Sequence, residues 1–102
     1  MLEVLQSKKE EVAELCRRFH VRRLELFGSA ATGTDRRGES DLDLLVEFAE
    51  IPSAEYADTY FGFREAMERL CGRGVDLVVA SAIRNPYFRE SVEQSKTLLY
   101  AA

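Results

Sequence analysis

Apolar positions along the chain follow two rhythms. Leu5, Val12, Leu15, Cys16 and Phe19 line one side of a helical wheel with charged residues between them, and this spacing predicts an amphipathic helix from about residue 2 to 19. From Arg22 the period drops to two. In "RRLELFG" Leu24 and Leu26 share one face and Arg23, Glu25 and Phe27 the other, the alternation of a half-buried strand. "DLDLLVEF" repeats the pattern, with Leu42, Leu44 and Val46 on one side and Asp41, Asp43, Leu45 and Glu47 on the other. The run from 29 to 40 between these strands is rich in Gly, Ser, Thr and Asp and reads as a loop, with room for a helical turn just after Ser29.

Beyond Pro52, with Ser53 as the expected N-cap, Tyr56, Tyr60, Phe63, Met67 and Leu70 recur at spacings of four and three, a helix stripe that runs out near Gly72 and Gly74. "VDLVV" (Val75 to Val79) reads as a third strand with Asp76 inside it. Asn85 followed by Pro86 marks an N-cap and first helical position, opening a short helix with Phe88 and Val92 inward. "TLLY" near the end reads either as an edge strand or as a tail. The order α-β-β-α-β-α predicts one α/β (α+β) domain over residues 1–102, a small mixed sheet with helices packed against it.

Composition narrows the partners. With 46% hydrophobic and 31% charged residues, the chain has an ordinary globular make-up. Its net charge of -4 and pI near 5.0 provide no basic field, so direct nucleic-acid binding is not expected. Of the pairs Arg17/Arg18, Arg22/Arg23 and Arg36/Arg37, only the last lies near the aspartates, where Arg could grip phosphate oxygens bidentately. No apolar run approaches the ~20 residues that cross a bilayer; no membrane association and a cytoplasmic location are expected. Cys16 and Cys71 then read as reduced thiols. The chain has no Cys/His cluster, and its one histidine, His20, stands alone, which disfavours zinc.

Asp41 and Asp43 open an otherwise apolar strand, where ionised carboxylates are costly unless something positive meets them. Two carboxylates ~4 Å apart repel by about 4 kcal/mol at an effective dielectric near 20. Bringing in Asp76 from a neighbouring strand would make the crowding worse without a cation. All-oxygen donors select Mg²⁺ or Mn²⁺, and two such ions can activate an attacking oxygen and stabilise a leaving one. Gly28 would let the backbone approach a ligand closely, and Ser29 would offer a hydroxyl and backbone N–H groups to an anion.

Strand, Gly28-Ser29, loop, Asp41-x-Asp43 and a later strand aspartate together make a specific pattern. "GSAATGTDRRGESDLDLLV" resembles the signature of the DNA polymerase beta nucleotidyltransferase superfamily, and the short chain resembles its minimal nucleotidyltransferases, the kind paired with HEPN-domain partners in toxin–antitoxin modules. The resemblance implies a polymerase-beta-like fold with Gly28 and Ser29 at the nucleotide phosphates. It also implies that Asp41, Asp43 and Asp76 hold two Mg²⁺ ions, with Asp76 helping to activate the acceptor hydroxyl. It further implies ATP as donor and transfer of AMP to a hydroxyl, a tyrosine being favoured, on a HEPN-type toxin, within a homo- or hetero-oligomer. The alternative is a non-catalytic antitoxin that neutralises its partner by contact. Two features depart from the family pattern: the spacer from Ala30 to Ser40 has eleven residues where ten are usual, and Thr32 stands where an Arg is common. Arg36 or Arg37 is the expected compensation.

Overall fold

In the computed structural model, residues 2–28, 31 and 41–102 are described. The elements run α1 (Leu2–Ser7), α2 (Lys9–Arg18), β1 (Val21–Phe27), β2 (Leu42–Phe48), α3 (Ser53–Cys71), β3 (Val75–Val79), a 3₁₀ turn (Ala80–Ala82), α4 (Pro86–Ser95) and β4 (Thr97–Ala101). The four strands form one sheet in the order β3-β2-β1-β4. β1 runs antiparallel to both neighbours, and β2 and β3 are parallel. The mixed α/β architecture expected from the pattern is present, and "TLLY" is indeed an edge strand.

Three expectations need correction. The first helix is two, broken at Lys8: the Ser7 hydroxyl donates to the Val4 carbonyl at 2.7 Å, the local bonding by which serine competes with helix backbone. Lys8 gains from the break, since its ammonium donates to the Leu70 carbonyl at 3.1 Å, at the end of α3 where the helix dipole favours a cation. Ser53 is not the cap of α3; Pro52 takes that position with extended backbone (φ -55, ψ 139), and no side chain caps the helix. Phe88 stands 41% exposed, its ring meeting Phe27 edge-on. The Asn85 cap is as expected: its Oδ1 accepts from the Tyr87 and Phe88 N–H groups at 2.9 and 3.3 Å.

Period two separates the sheet's faces. Leu24 and Leu26 of β1 and Leu42, Leu44 and Val46 of β2 are fully buried with Leu5, Val12, Cys16, Phe63 and Met67 of the first three helices. Gly62 makes the close approach of α2 and α3 possible, because a Cβ there would strike the Phe19 ring. On the other face, Phe27, Leu45, Ile83 and Val92 form a smaller cluster under α4. Gly72, with φ +70, ends α3 in the left-handed conformation that glycine adopts without strain. No helix among the described residues is long and apolar enough to cross a membrane.

Candidate active site

Antiparallel β1 delivers its C-terminal end to the same edge at which β2 and β3 begin. The pairing Phe27↔Asp43 and Asp43↔Asp76 sets the end of the first strand beside the two aspartates, so Gly28, Asp43 and Asp76 gather there. In-register residues of adjacent strands point to the same face a few ångströms apart, which makes Asp43 and Asp76 neighbours. Asp41 lies two residues back and projects to the same side. Asp41 and Asp76 are exposed and Asp43 is half-buried.

Electrostatics shows the crowding. Burial first, then the negative charges of Asp76 and Asp41, push the Asp43 carboxyl above its ordinary pKa. Among the described residues none of the three carboxylates has an ion-pair partner. Nor do three acid, histidine or cysteine side chains among the described residues stand close enough to hold an ion as they are. The donor set nevertheless suits a hard divalent cation. It is all carboxylate, mutually repelling and open on one side, and a dication there would relieve the repulsion that raises Asp43.

Two glycines make room for these acids. A Cβ on Gly28 (φ +74) would lie under 3.0 Å from Asp43 Oδ2, and one on Gly74 equally close to Asp41 Oδ1. Gly74 also accepts the Leu42 N–H at 2.9 Å, joining the approaches to β2 and β3. Sequence reasoning used Gly74 only as a helix stop; its place two residues before Asp76 was the available signal. Ala31 is helical and its N–H bonds the Gly28 carbonyl at 3.2 Å. Ser29, Thr32, Arg36 and Arg37, and with them all of the eleven-residue spacer except Ala31, lie outside the described residues.

Asp76 is placed by α3. β3 is an edge strand, and edge backbone groups need partners. Glu68 Oε2 accepts the Val75 N–H at 3.1 Å, and the Tyr60 hydroxyl donates to the Leu77 carbonyl. These two bonds flank Asp76 on the strand. Tyr60 stays protonated for the purpose: burial raises its pKa most, with the Arg64 charge opposing and that of Asp76 adding. Periodicity had assigned Tyr60 to the core stripe alone, since a helical wheel cannot show where a hydroxyl ends. A groove of about 600 Å³ lined by Phe48, Ile51, Tyr56 and Val79 lies at the opposite end of β2 and β3, away from the three acids.

Residues 8–99 match the nucleotidyltransferase domain family, and the chain belongs to that family. Two relatives sharpen the class. A Methanocaldococcus jannaschii protein named as a candidate protein adenylyltransferase is 34% identical over 90% of this chain and 87% of its own. Protein adenylyltransferase MntA of Thermococcus cleftensis is 38% identical over 80% of this chain and 76% of its own. Among solved structures, a candidate minimal nucleotidyltransferase superposes with a TM-score of 0.75 at 36% identity, covering 94% of this chain and 93% of that one. The fold is also that of an MNT antitoxin solved in complex with a tri-AMPylated HEPN toxin from Shewanella oneidensis, with a TM-score of 0.63 and 17% identity over 96% of this chain and 73% of that one. The family read from the Gly-Ser and Asp-x-Asp spacing is therefore the right one, and the protein is a nucleotidyltransferase.

Proposed function

We propose that this protein transfers AMP from ATP to a hydroxyl, a tyrosine being favoured, on a HEPN-type toxin and so acts as its antitoxin, with Mg²⁺ held by Asp41, Asp43 and Asp76. The observation that carries the reading is the register of Asp43 against Asp76, which crowds two carboxylates at the end of the sheet where Gly28 clears the backbone. The names of the relatives support protein as acceptor, and the AMPylated toxin beside a protein of the same fold supports the partner.

Bound divalent ions would supply charge neutralisation at the triphosphate and hold the acceptor oxygen in its nucleophilic form. The chain's own residues do the rest. Gly28, lacking a side chain, admits the phosphates beside Asp43, with Ser29 as the nearest hydroxyl in sequence. Asp76 accepts the proton of the acceptor hydroxyl. The acceptor oxygen forms a bond to the α-phosphorus as the α–β phosphoanhydride bond breaks and pyrophosphate leaves. Little covalent work falls to the protein, so positioning and electrostatics suffice.

The test is incubation with α-labelled ATP, Mg²⁺ and the product of the neighbouring gene. Label should pass to that protein and fall at least about a hundredfold in Asp41→Asn and Asp43→Asn. Toxin neutralisation that survives both substitutions would instead establish an antitoxin working by contact.

A further inference from the structure

The register that pairs β1 with β4 brings Ser95 to the candidate site. Leu26 lies opposite Thr97 and Glu25 opposite Leu98; continued by two residues, the same antiparallel register sets Gly28 opposite Ser95. There the Gly28 N–H donates to Ser95 Oγ at 3.2 Å, in a half-buried bond between groups 67 residues apart in sequence. The same hydroxyl donates to the Ser91 carbonyl at 3.3 Å. Ser95 Oγ thus works as both donor and acceptor, and its position is fixed by α4.

The residue after it anchors the corner. Glu25 is 5% exposed, a buried carboxylate on the α4 face, and it is met by Lys96 Nζ at 3.5 Å and Arg23 Nε at 3.3 Å. Lys96 also pairs with Glu93 at 3.0 Å. A buried carboxylate holds its cation firmly because losing the partner would strand the charge. The junction of α4 with β4 is therefore tied to β1 from behind, one residue from the hydroxyl that reaches Gly28.

Gly28 sits at φ +74 with Asp43 Oδ2 in the space a Cβ would fill. Glycine has more freedom there than any other residue, so its peptide plane needs an external hold if it is to stay clear of the carboxylate. We propose that Ser95 is a positioning residue for nucleotide binding: its hydroxyl pins the Gly28 peptide, so that the end of β1 beside Asp43 is preset for a triphosphate. The nucleotide part of this rests on the function proposed above. With its own N–H committed to Ser95, Gly28 contributes shape rather than a donor.

Ser95→Ala removes the acceptor and Ser95→Thr keeps it. Amide exchange in the apoprotein, followed by NMR, should show Gly28 less protected in Ser95→Ala and restored in Ser95→Thr. Calorimetry with α,β-methylene-ATP and Mg²⁺ should show Kd rising roughly fivefold in Ser95→Ala, the size of one net hydrogen bond, with affinity recovered in Ser95→Thr. Affinity equal in wild type and Ser95→Ala, or Gly28 protection unchanged by the substitution, would overturn the positioning role alone. A wild-type protein that takes up no nucleotide with Mg²⁺ would overturn the functional reading beneath it, and the role with it.

Discussion

On one face of the sheet Leu24, Leu26, Leu42, Leu44 and Val46 lie fully buried beneath α1, α2 and α3. One residue step along the same strands, Asp43, Glu25 and Glu47 face the other way, beside a cluster of only Phe27, Leu45, Ile83 and Val92. The first face stores stability through the burial of apolar surface, at about 25 cal/mol per Å². The second gives part of it back at Asp43, which is partly buried and faces the charges of Asp76 and Asp41. Asp43 and Leu44 are adjacent in sequence and have opposite effects on the fold, which is the usual relation between a site and the scaffold that carries it.

This contrast can be broken by substitution. Leu44→Ala should cost about 3 kcal/mol in urea unfolding, the transfer term plus the cavity left in a packed layer; a loss under about 1 kcal/mol would mean the helix-covered face is not the main store of stability. Asp43→Asn should do the reverse, raising the melting temperature of the metal-free protein by the equivalent of up to about 1 kcal/mol after allowance for solvent screening, while transfer is lost. The sign follows from the raised pKa of Asp43, caused by burial and then by Asp76 and Asp41: the fold prefers the neutral group, so removing the charge favours it. Adding Mg²⁺ should stabilise the wild type and leave Asp43→Asn nearly unchanged, since the ion has lost a donor.

The smallest effect belongs to a thiol in the dry layer. Burial pushes Cys16 from 9.0 up to about 12, with Arg17 opposing weakly. The unfolded chain loses that proton first as pH rises, so the contribution is whole below pH 9.0 and is lost progressively toward pH 12. The difference in stability between wild type and Cys16→Ala should shift by about 0.4 kcal/mol by pH 9. Iodoacetamide at pH 8 should alkylate Cys16 slowly in the fold and readily in urea.

Much of this could be read from the chain, and the parts that could not share a cause. Strand alternation is a local property, so the faces of β1 and β2 and the common side of Asp41 and Asp43 followed from period two. The Asn85-Pro86 cap is local as well. The break at Lys8 was hidden because the apolar stripe continues across it, while the cause is a serine hydroxyl bonding one turn back. Ser53 looked like a cap, yet capping depends on backbone angles that Pro52 set instead.

By itself, then, the sequence determined which residues alternate, which strand carries the paired acids, and that Gly28-Ser29 precedes them across a spacer one residue longer than nucleotidyltransferases usually have. Tertiary structure alone decided that Asp76 falls in register with Asp43, that Gly74 yields space to Asp41, that Tyr60 and Glu68 fasten the strand on either side of Asp76, and that Ser95 reaches Gly28. Each of these depends on strand order and register. Register is a property of two segments meeting in space, fixed by burying one whole face at once, and no single segment of the chain contains it.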